Sequence, residues 1–269
     1  MSINCEGFAQ NKSNRQSKKL SEKPNQIKEQ NQAYTFNAIG VIESPYQEKF
    51  AIPRQPNLVT AAKGKVVLIG DANNHELVRD IEQFSHLWLL FVFHGTQEQG
   101  WKPLVRPPRL GGNVKTGVLA TRSTFRPNPI GMSVVKLDKV VTKNQQTILH
   151  ISGLDLLNAT PIIDIKPYVP YSDAIVDAKA GFAQQQPDTS LSVVFSEQAQ
   201  ADLLHYKQHN SELALLIEQV LKQDPRPAYK RGKADDKLYG MSLYDLNIQW
   251  RFTTLDSVLV VNITQANAS

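Results

Sequence analysis

From Tyr34 onward the chain breaks into short apolar runs separated by turn residues, and this texture constrains the fold more than any other feature. The spacing predicts strands at 35–42, 65–69, 86–93, 114–120, 133–141, 146–153 and 161–166, with Pro, Gly and Asn clusters between them. Strands so short and so evenly punctuated build an antiparallel barrel or sandwich. The run from His86 to Phe93 is apolar on both faces, which predicts a central strand covered on each side. One short helix is expected at 74–83, with Leu77, Val78 and Ile81 on a single face.

The pattern changes near Ala180, where a polar stretch ends in Gln184, Gln185, Gln186 and Pro187. A strand at 191–195 leads to Ser196, a suitable N-cap for a helix reaching about Gln208. Ser211 is placed to cap a second helix, in which Leu213, Leu216, Ile217, Val220 and Leu221 follow the helical period until Asp224 and Pro225 stop it. Leu246, Ile248, Trp250 and Phe252 then alternate with polar residues, as in a half-buried strand, and a last strand is expected at 258–263. The expected fold is mainly β with an α+β addition: an antiparallel β-barrel domain at 34–175 and a smaller α+β domain at 180–269. No internal repeat is visible.

The chain has 269 residues, 41% of them hydrophobic, enough to bury a core, and no apolar run approaches membrane-spanning length. Cys5 is the only cysteine, which rules out a disulfide framework and a thiolate metal site and fits a reducing, cytoplasmic setting. Residues 1–33 are rich in Asn, Gln, Lys and Ser and read as a disordered tail without a secretory signal. That tail carries +3 of the net charge of +5, leaving the remainder only mildly basic.

What positive charge the folded part has is concentrated. Gln99 to Lys136 holds seven basic residues and no Asp or Glu, stiffened by five prolines and five glycines. An ordinary surface loop mixes charge signs. Guanidiniums on stiff backbone are what anion recognition needs, since the forked donors have little ordering entropy left to lose. A solvated basic face is the plainer alternative. A local patch on a near-neutral body points to nucleic-acid contact of limited extent.

Several chemistries lack their residues. No GxGxxG follows a strand, and there is no complete phosphate loop, HExxH or GxSxG. His205 and His209 stand four apart on an expected helix, but no third ligand accompanies them and they read as surface histidines. His86, at an apolar strand, reads as a satisfied core histidine, whereas His94 sits at a strand end before Gly95, where site residues emerge.

Polar groups instead cluster at predicted strand ends. These are Ser44-Pro45-Tyr46 with Lys49 to Pro56, Arg106 to Asn113, Ala120 to Ser133, Leu154 to Pro161, and Asp164 to Tyr168. Gathered at one barrel end, such loops would form a basic pocket holding two carboxylates. The same segments closely resemble the TrmO (TsaA-like) family, whose signature is of the ATRS-x-x-RPN type found here at Ala120 to Asn128. The likeness continues through RPPRLGGN and DIKPY and, in the second region, through Asp224 to Tyr229 and Tyr239 to Tyr244, covering nearly all of 34–269.

The resemblance implies an S-adenosylmethionine-dependent tRNA methyltransferase with a β-barrel cofactor site, acting as a homodimer. Its expected reaction is N6-methylation of N6-threonylcarbamoyladenosine at position 37 of threonine tRNA. By position it assigns the cofactor to Pro53, Arg54, Gln55, His94, Gly95, Arg122, Met132, Asp155, Leu156, Leu157 and Asn158. Under that chemistry Arg54 or Arg122 would grip the cofactor carboxylate, with Met132 and Leu156 lining the adenine or methyl channel. Arg109, Arg126 or Lys166 would suit the threonine carboxylate, and Asp155 or Asp164 would be the general base. Asp164 before Lys166 equally fits a structural ion pair. Lys49, Lys102, Arg106 and Lys115 would meet phosphates. Arg226, Tyr229, Lys230 and Arg231 would contact the anticodon stem-loop, although Tyr229 also suits packing under the proline turn. The family commonly has DLVDGTP where this chain has Asp155-Leu156-Leu157-Asn158-Ala159-Thr160-Pro161, so Asn158 removes a carboxylate and Ala159 replaces a conformationally free glycine. An RNA-processing hydrolase using Asp155 and Asp164, and a tRNA-binding module without catalysis, are the alternatives.

Overall fold

The computed structural model describes residues 33–187, 190–207, 210–227, 230, 233 and 237–266. Six strands close into a barrel: β1 Gly40–Glu43, β2 Lys63–Leu68, β3 His86–Val92, β6 Ile130–Lys143, β7 Gln146–Ser152 and β8 Pro161–Pro167. Their order around the barrel is β1-β2-β7-β6-β3-β8, with β8 returning to β1 and every neighbour antiparallel. Closure leaves no unpaired edge. The inward phase of each strand fills the lumen: Ile42, Val66 and Leu68, then Leu87, Leu89 and Phe91, then Val135, Leu149, Ile151 and Ile162. Each such side chain contributes roughly 1.5–3 kcal/mol through burial. Gly131 in β6 is forced by this packing, because a Cβ there would fall 2.4 Å from the Phe91 ring.

Alternation along this barrel fixes which loops meet. With neighbours antiparallel, β1, β3 and β7 all end at the rim where β2, β6 and β8 begin. The β1–β2, β3–β6 and β7–β8 connections therefore emerge together. Those are the loops that carry nearly all the residues singled out above.

The long β3–β6 connection contains a small ribbon, β4 Leu104–Val105 paired with β5 Thr116–Gly117, and 3-10 turns. After β8 comes the short helix α1 Pro170–Asp173. The second sheet runs β10 Tyr239–Leu243, β11 Leu246–Thr254, β12 Ser257–Gln265 and β9 Ser192–Phe195, with β12 and β9 parallel. Two helices accompany it, α2 Glu197–Tyr206 and α3 Leu213–Lys222. The apolar face of α3 and the Leu246, Ile248, Trp250 and Phe252 face of β11 are buried. The Ser196 hydroxyl accepts from Ala199 N at 3.0 Å, the cap its sequence position promised.

Several expectations fail for physical reasons. Residues 74–83 form two 3-10 turns, His75–Val78 and Ile81–Gln83, interrupted by Asp80 at φ 65. Val78 and Ile81 pack partly against the core but Leu77 is left exposed, so the expected face splits between the two turns instead of forming one helical stripe. The predicted strand at 114–120 shrinks to Thr116–Gly117, since only the two-residue β4 offers it a partner. β3 is not covered on both sides: its residues alternate between buried and half-buried, with Trp88 held on the outer face by Asp173. Ser211 does not cap α3, whose N-terminal turn is instead supported by Asn210 Oδ1 accepting from Glu212 N. The first strand begins at Gly40 rather than 35, and β10 was not expected at all. Residues 1–32, His209, Tyr229 and Arg231 lie outside the described residues, and so do the expectations placed on them.

The second sheet grips the first rim loop. Leu243 bridges to Tyr46, Tyr244 N donates to Pro45 O at 2.7 Å, and Ser242 N donates to Glu48 Oε1 at 2.8 Å. Gln219 of α3 adds a bond from Ala61 N at 2.9 Å.

Candidate cofactor site

The site begins at the end of β7, where Gly153 at φ 73 turns the chain and presents Asp155 over the rim. On β6, Ser133 lies in the inward phase and its hydroxyl donates to Asp155 Oδ1. Burial pushes the Asp155 carboxyl up to about 6, while the Ser133 hydroxyl and the Arg122 charge pull the other way. Arg122 belongs to the β3–β6 loop and donates through Nη1 to Gln55 Oε1 of the β1–β2 loop at 2.7 Å. Gln55, Arg122, Ser133 and Asp155 thus link all three rim connections.

A second set of bonds fixes the loop beyond Asp155. Ser44 Oγ donates to Leu156 O at 2.7 Å, Ser44 N donates to Asn158 Oδ1 at 3.0 Å, and Asn158 N donates to Tyr46 O at 2.8 Å. The Asn158 side chain is therefore a brace accepting from backbone, which a carboxylate would do equally well, and it is not a base. His94 and Gly95 start the turn after β3, and a Cβ on Gly95 would touch Leu157 Cδ2 at 3.4 Å. Pro53 is buried beneath the same rim.

Ala159 occupies φ 61. An alanine there carries a cost of about 1–2 kcal/mol that glycine avoids. Ala159→Gly is expected to stabilise the protein by about 0.5–1 kcal/mol after the added freedom of the unfolded glycine is subtracted. A thermal melt checks this, with a midpoint rise of a few degrees expected and any fall counting against it.

Other expected residues are placed differently. Asp164 lies on the outer face of β8 and bonds Lys166 Nζ at 2.7 Å, while Asp155 faces the rim. The expectation of two carboxylates in one pocket is thereby overturned, and with it the arrangement an Asp155–Asp164 hydrolase would need. Met132 also lies on the outer face, opposite Leu90 and one residue from Ser133. Arg226 is withdrawn from any nucleic acid: its guanidinium is buried, bonded to both oxygens of Asp224 at 2.9 Å, and stacked 3.5 Å from the Phe252 ring. Arg54 and Arg109 line a cleft of about 330 Å³ between the rim and the second sheet, together with Leu191, Lys222 and Asp256. Arg109 Nη1 there donates to Gln185 O at 2.5 Å. Arg126 is half-buried in the loop that also holds Arg122. Lys49 and Lys102 converge on the Phe125 ring at 5.7 and 4.8 Å.

Ser44, Tyr46 and Ser133 belong to the rim segments that the sequence singles out, but the sequence assigns none of them a role. Ser133 had a signal, a hydroxyl in the inward phase of an apolar strand. Tyr46 is 0% exposed and its hydroxyl has no hydrogen-bond partner among the described residues. Burial first, then the charges of Asp155 and Tyr244, push its phenol pKa well up.

Residues 41–174 match the family model described as the tRNA-methyltransferase O N-terminal domain, and 188–266 match the TrmO C-terminal domain. The chain belongs to the TrmO family. It is 52% identical over 221 residues to the tRNA (adenine(37)-N6)-methyltransferase of Escherichia coli strain K12, covering 82% of this chain and 94% of that protein. A putative S-adenosylmethionine-dependent methyltransferase of Pseudomonas aeruginosa, RcsF, is 45% identical over 231 residues, 86% of this chain and 97% of that one. A crystal structure of TrmO from Pseudomonas aeruginosa superposes with a TM-score of 0.74 at 40% identity, covering 87% of this chain and 98% of that one. Among the described residues no helix is long and apolar enough to cross a membrane.

Proposed function

We propose that the chain is an S-adenosylmethionine-dependent tRNA (adenine(37)-N6)-methyltransferase. Its acceptor is N6-threonylcarbamoyladenosine at position 37 of threonine tRNA, and it works in the cytoplasm as a homodimer. Beside the kinship with TrmO proteins, the observation that carries the reading is Asp155. It is an enclosed carboxyl with a pKa of about 6, joined through Ser133 and facing Arg122 where three rim loops meet.

The donor groups fit the cofactor's chemistry. Arg122 offers a forked cation for its carboxylate, held in place by Gln55. Asp155 offers a carboxylate for a nearby cation, and Leu157 supplies apolar surface beside it. When bound, the cofactor supplies a methyl group on a sulfonium that is electrophilic without further activation. The protein's task is alignment, exclusion of water and removal of one proton. Asp155 would take up the proton that N6 gives up on methylation, its carboxylate becoming the neutral acid. With a pKa of about 6 it is mostly ionised at neutral pH yet still basic enough to serve. Ser133, donating to Oδ1, holds the carboxylate in one orientation. The threonine carboxylate of the acceptor is assigned to Arg126 or Arg109. The exposed Leu104, Val114 and Leu119 around the β4–β5 ribbon are assigned to the partner subunit, which sedimentation at micromolar concentration tests directly.

Calorimetric titration with S-adenosylmethionine, without RNA, tests the reading first. Saturable micromolar binding, on the order of −8 kcal/mol, is expected. Methyl transfer should then require the threonylcarbamoyl group on threonine tRNA. Transfer to tRNA with an unmodified adenine 37 would sink the acceptor assignment. Binding of tRNA with no cofactor binding, even when both are present, would favour a binding module.

A further inference from the structure

Beside the cofactor site, the surface formed by two rim loops carries a second feature. Phe125 is its centre. Lys102 Nζ lies 4.8 Å and Lys49 Nζ 5.7 Å from the ring centroid, and Lys102 N donates to Phe125 O at 3.0 Å. Residues far apart in sequence are thereby brought to one place. Among the described residues neither ammonium has a carboxylate partner. Each lysine also has an exposed aromatic as its chain neighbour, Phe50 at 63% and Trp101 at 58%.

Two large rings left in water beside ammoniums without carboxylate partners form an exposed aromatic and basic patch, the kind of surface that marks a contact site. Aliphatic partners would use the rings but leave the ammoniums desolvated and unsatisfied. Folded acidic protein surfaces would use the charges but seldom offer flat faces. Unpaired nucleotides offer both, since each base presents a π-face and each linkage a phosphate. No Asp or Glu between Gln99 and Lys136 repels such a strand. Of the two flanking carboxylates, Glu48 is engaged by Ser242 N, which leaves Glu98 as the negative charge near Trp101 in sequence.

We infer that Trp101, with Phe50 as a second ring, is a stacking platform for unpaired anticodon-loop nucleotides flanking the target base, while Lys49 and Lys102 neutralise the intervening phosphates. This rests on the methyltransferase reading for the identity of the RNA, but its test needs neither cofactor nor methyl transfer. The platform would hold the loop with its bases splayed out, which is how a base inside the loop is brought over Asp155.

Trp101 reports on itself. Trp250 is 2% exposed and Trp88 is half-buried with its indole bonded to Asp173, so Trp101 is the indole open to a stacking base. Titrating the full-length protein with a synthetic, unmodified anticodon stem-loop should quench tryptophan fluorescence. Trp101→Phe should remove most of the quench while affinity, followed by anisotropy of a labelled stem-loop, changes by no more than about threefold. Trp101→Ala should weaken that affinity about tenfold or more, the loss of one stacked base. Its S-adenosylmethionine affinity, measured without RNA, should stay the same. Three results would overturn the proposal: quenching that persists in Trp101→Phe, unaltered RNA affinity in Trp101→Ala, or equal quenching by a blunt duplex without a loop. If Trp101→Ala shifted the sedimentation coefficient and left RNA affinity intact, the ring would belong to a subunit contact. A native protein that failed to bind S-adenosylmethionine would sink the methyltransferase reading and leave this result standing.

Discussion

Asp155→Asn is expected to lower the rate of methyl transfer by roughly 10²–10⁴-fold, the usual worth of a positioned general base. Cofactor affinity should also fall, but by far less than the rate, because asparagine loses the charge offered to the cofactor's cation while the Arg122–Gln55 pair is untouched. The native protein's rate should rise with pH through about 6 and level off above it, as Asp155 loses its proton, and the variant should lack that limb. Stability should move the opposite way. The folded-state pKa of about 6 lies above the ordinary 3.8, so ionising Asp155 works against the fold. That penalty is absent below pH 3.8, grows as pH rises towards 6 and is complete above it. It is on the order of 2–3 kcal/mol, and asparagine removes it while still accepting from Ser133. Single-turnover rates across pH and thermal melts at pH 8 decide the matter. A variant that melts earlier and keeps its rate would make Asp155 a structural residue.

Strands were legible in the sequence where one face is buried. β7, with Leu149 and Ile151 inward, and β11, with its Leu246 to Phe252 series, alternate because the sheet has a dry side and a wet one. The mistakes occur where apolar residues are not buried. Leu77 falls in the expected helix and Val114 and Leu119 in the expected strand, yet all three are exposed in short turns or beside a two-residue ribbon. Periodicity detects regular backbone only through burial, and it misreads apolar residues that remain on the surface. β10 escaped notice for the converse reason, since Tyr239-Gly240-Met241-Ser242-Leu243 is too short and too mixed to declare a face. It matters nonetheless, because it holds Pro45, Tyr46 and Glu48 beside Ser44, and Ser44 and Tyr46 brace Leu156 and Asn158.

The rim loops were legible as a group, since Pro, Gly and basic residues concentrate there, and alternation around an even-stranded barrel brings those loops to one end. The facing direction of individual side chains was not. Asp155 and Asp164 look alike in sequence. One follows a left-handed glycine and turns over the rim, whereas the other lies on a strand across from Leu90 and faces outward. A bulge between Leu90 and Phe91 in that pairing shifts the inside–outside phase of β8, and no pattern in 161–167 announces it. Arg226 shows a related limit. A basic residue in a Pro-rich turn suggests an RNA contact, but the bidentate Asp224 and the Phe252 ring are visible only once the chain is folded.

Arg122 tests the remaining half of the site, because its single charge acts on two observables. Arg122→Gln is expected to weaken S-adenosylmethionine binding about tenfold or more through loss of a charge-assisted fork on the cofactor carboxylate. The same substitution removes the charge that pulls the Asp155 pKa down, so the acid limb of the rate profile should move to higher pH. Arg122→Lys separates the two effects. Lysine restores a positive charge near Asp155 but not the planar pair of donors, and it cannot reproduce both contacts with Gln55 and a carboxylate. Its pH limb should therefore return towards about 6 while its affinity remains well below that of the native protein. Calorimetry on the three proteins, set beside their pH profiles, reads both effects independently. Native affinity in Arg122→Gln would remove Arg122 from the cofactor's contacts. If the affinity fell and the limb stayed in place, Arg122 would bind the cofactor without tuning the base, and the enclosed position of Asp155 alone would account for its raised pKa.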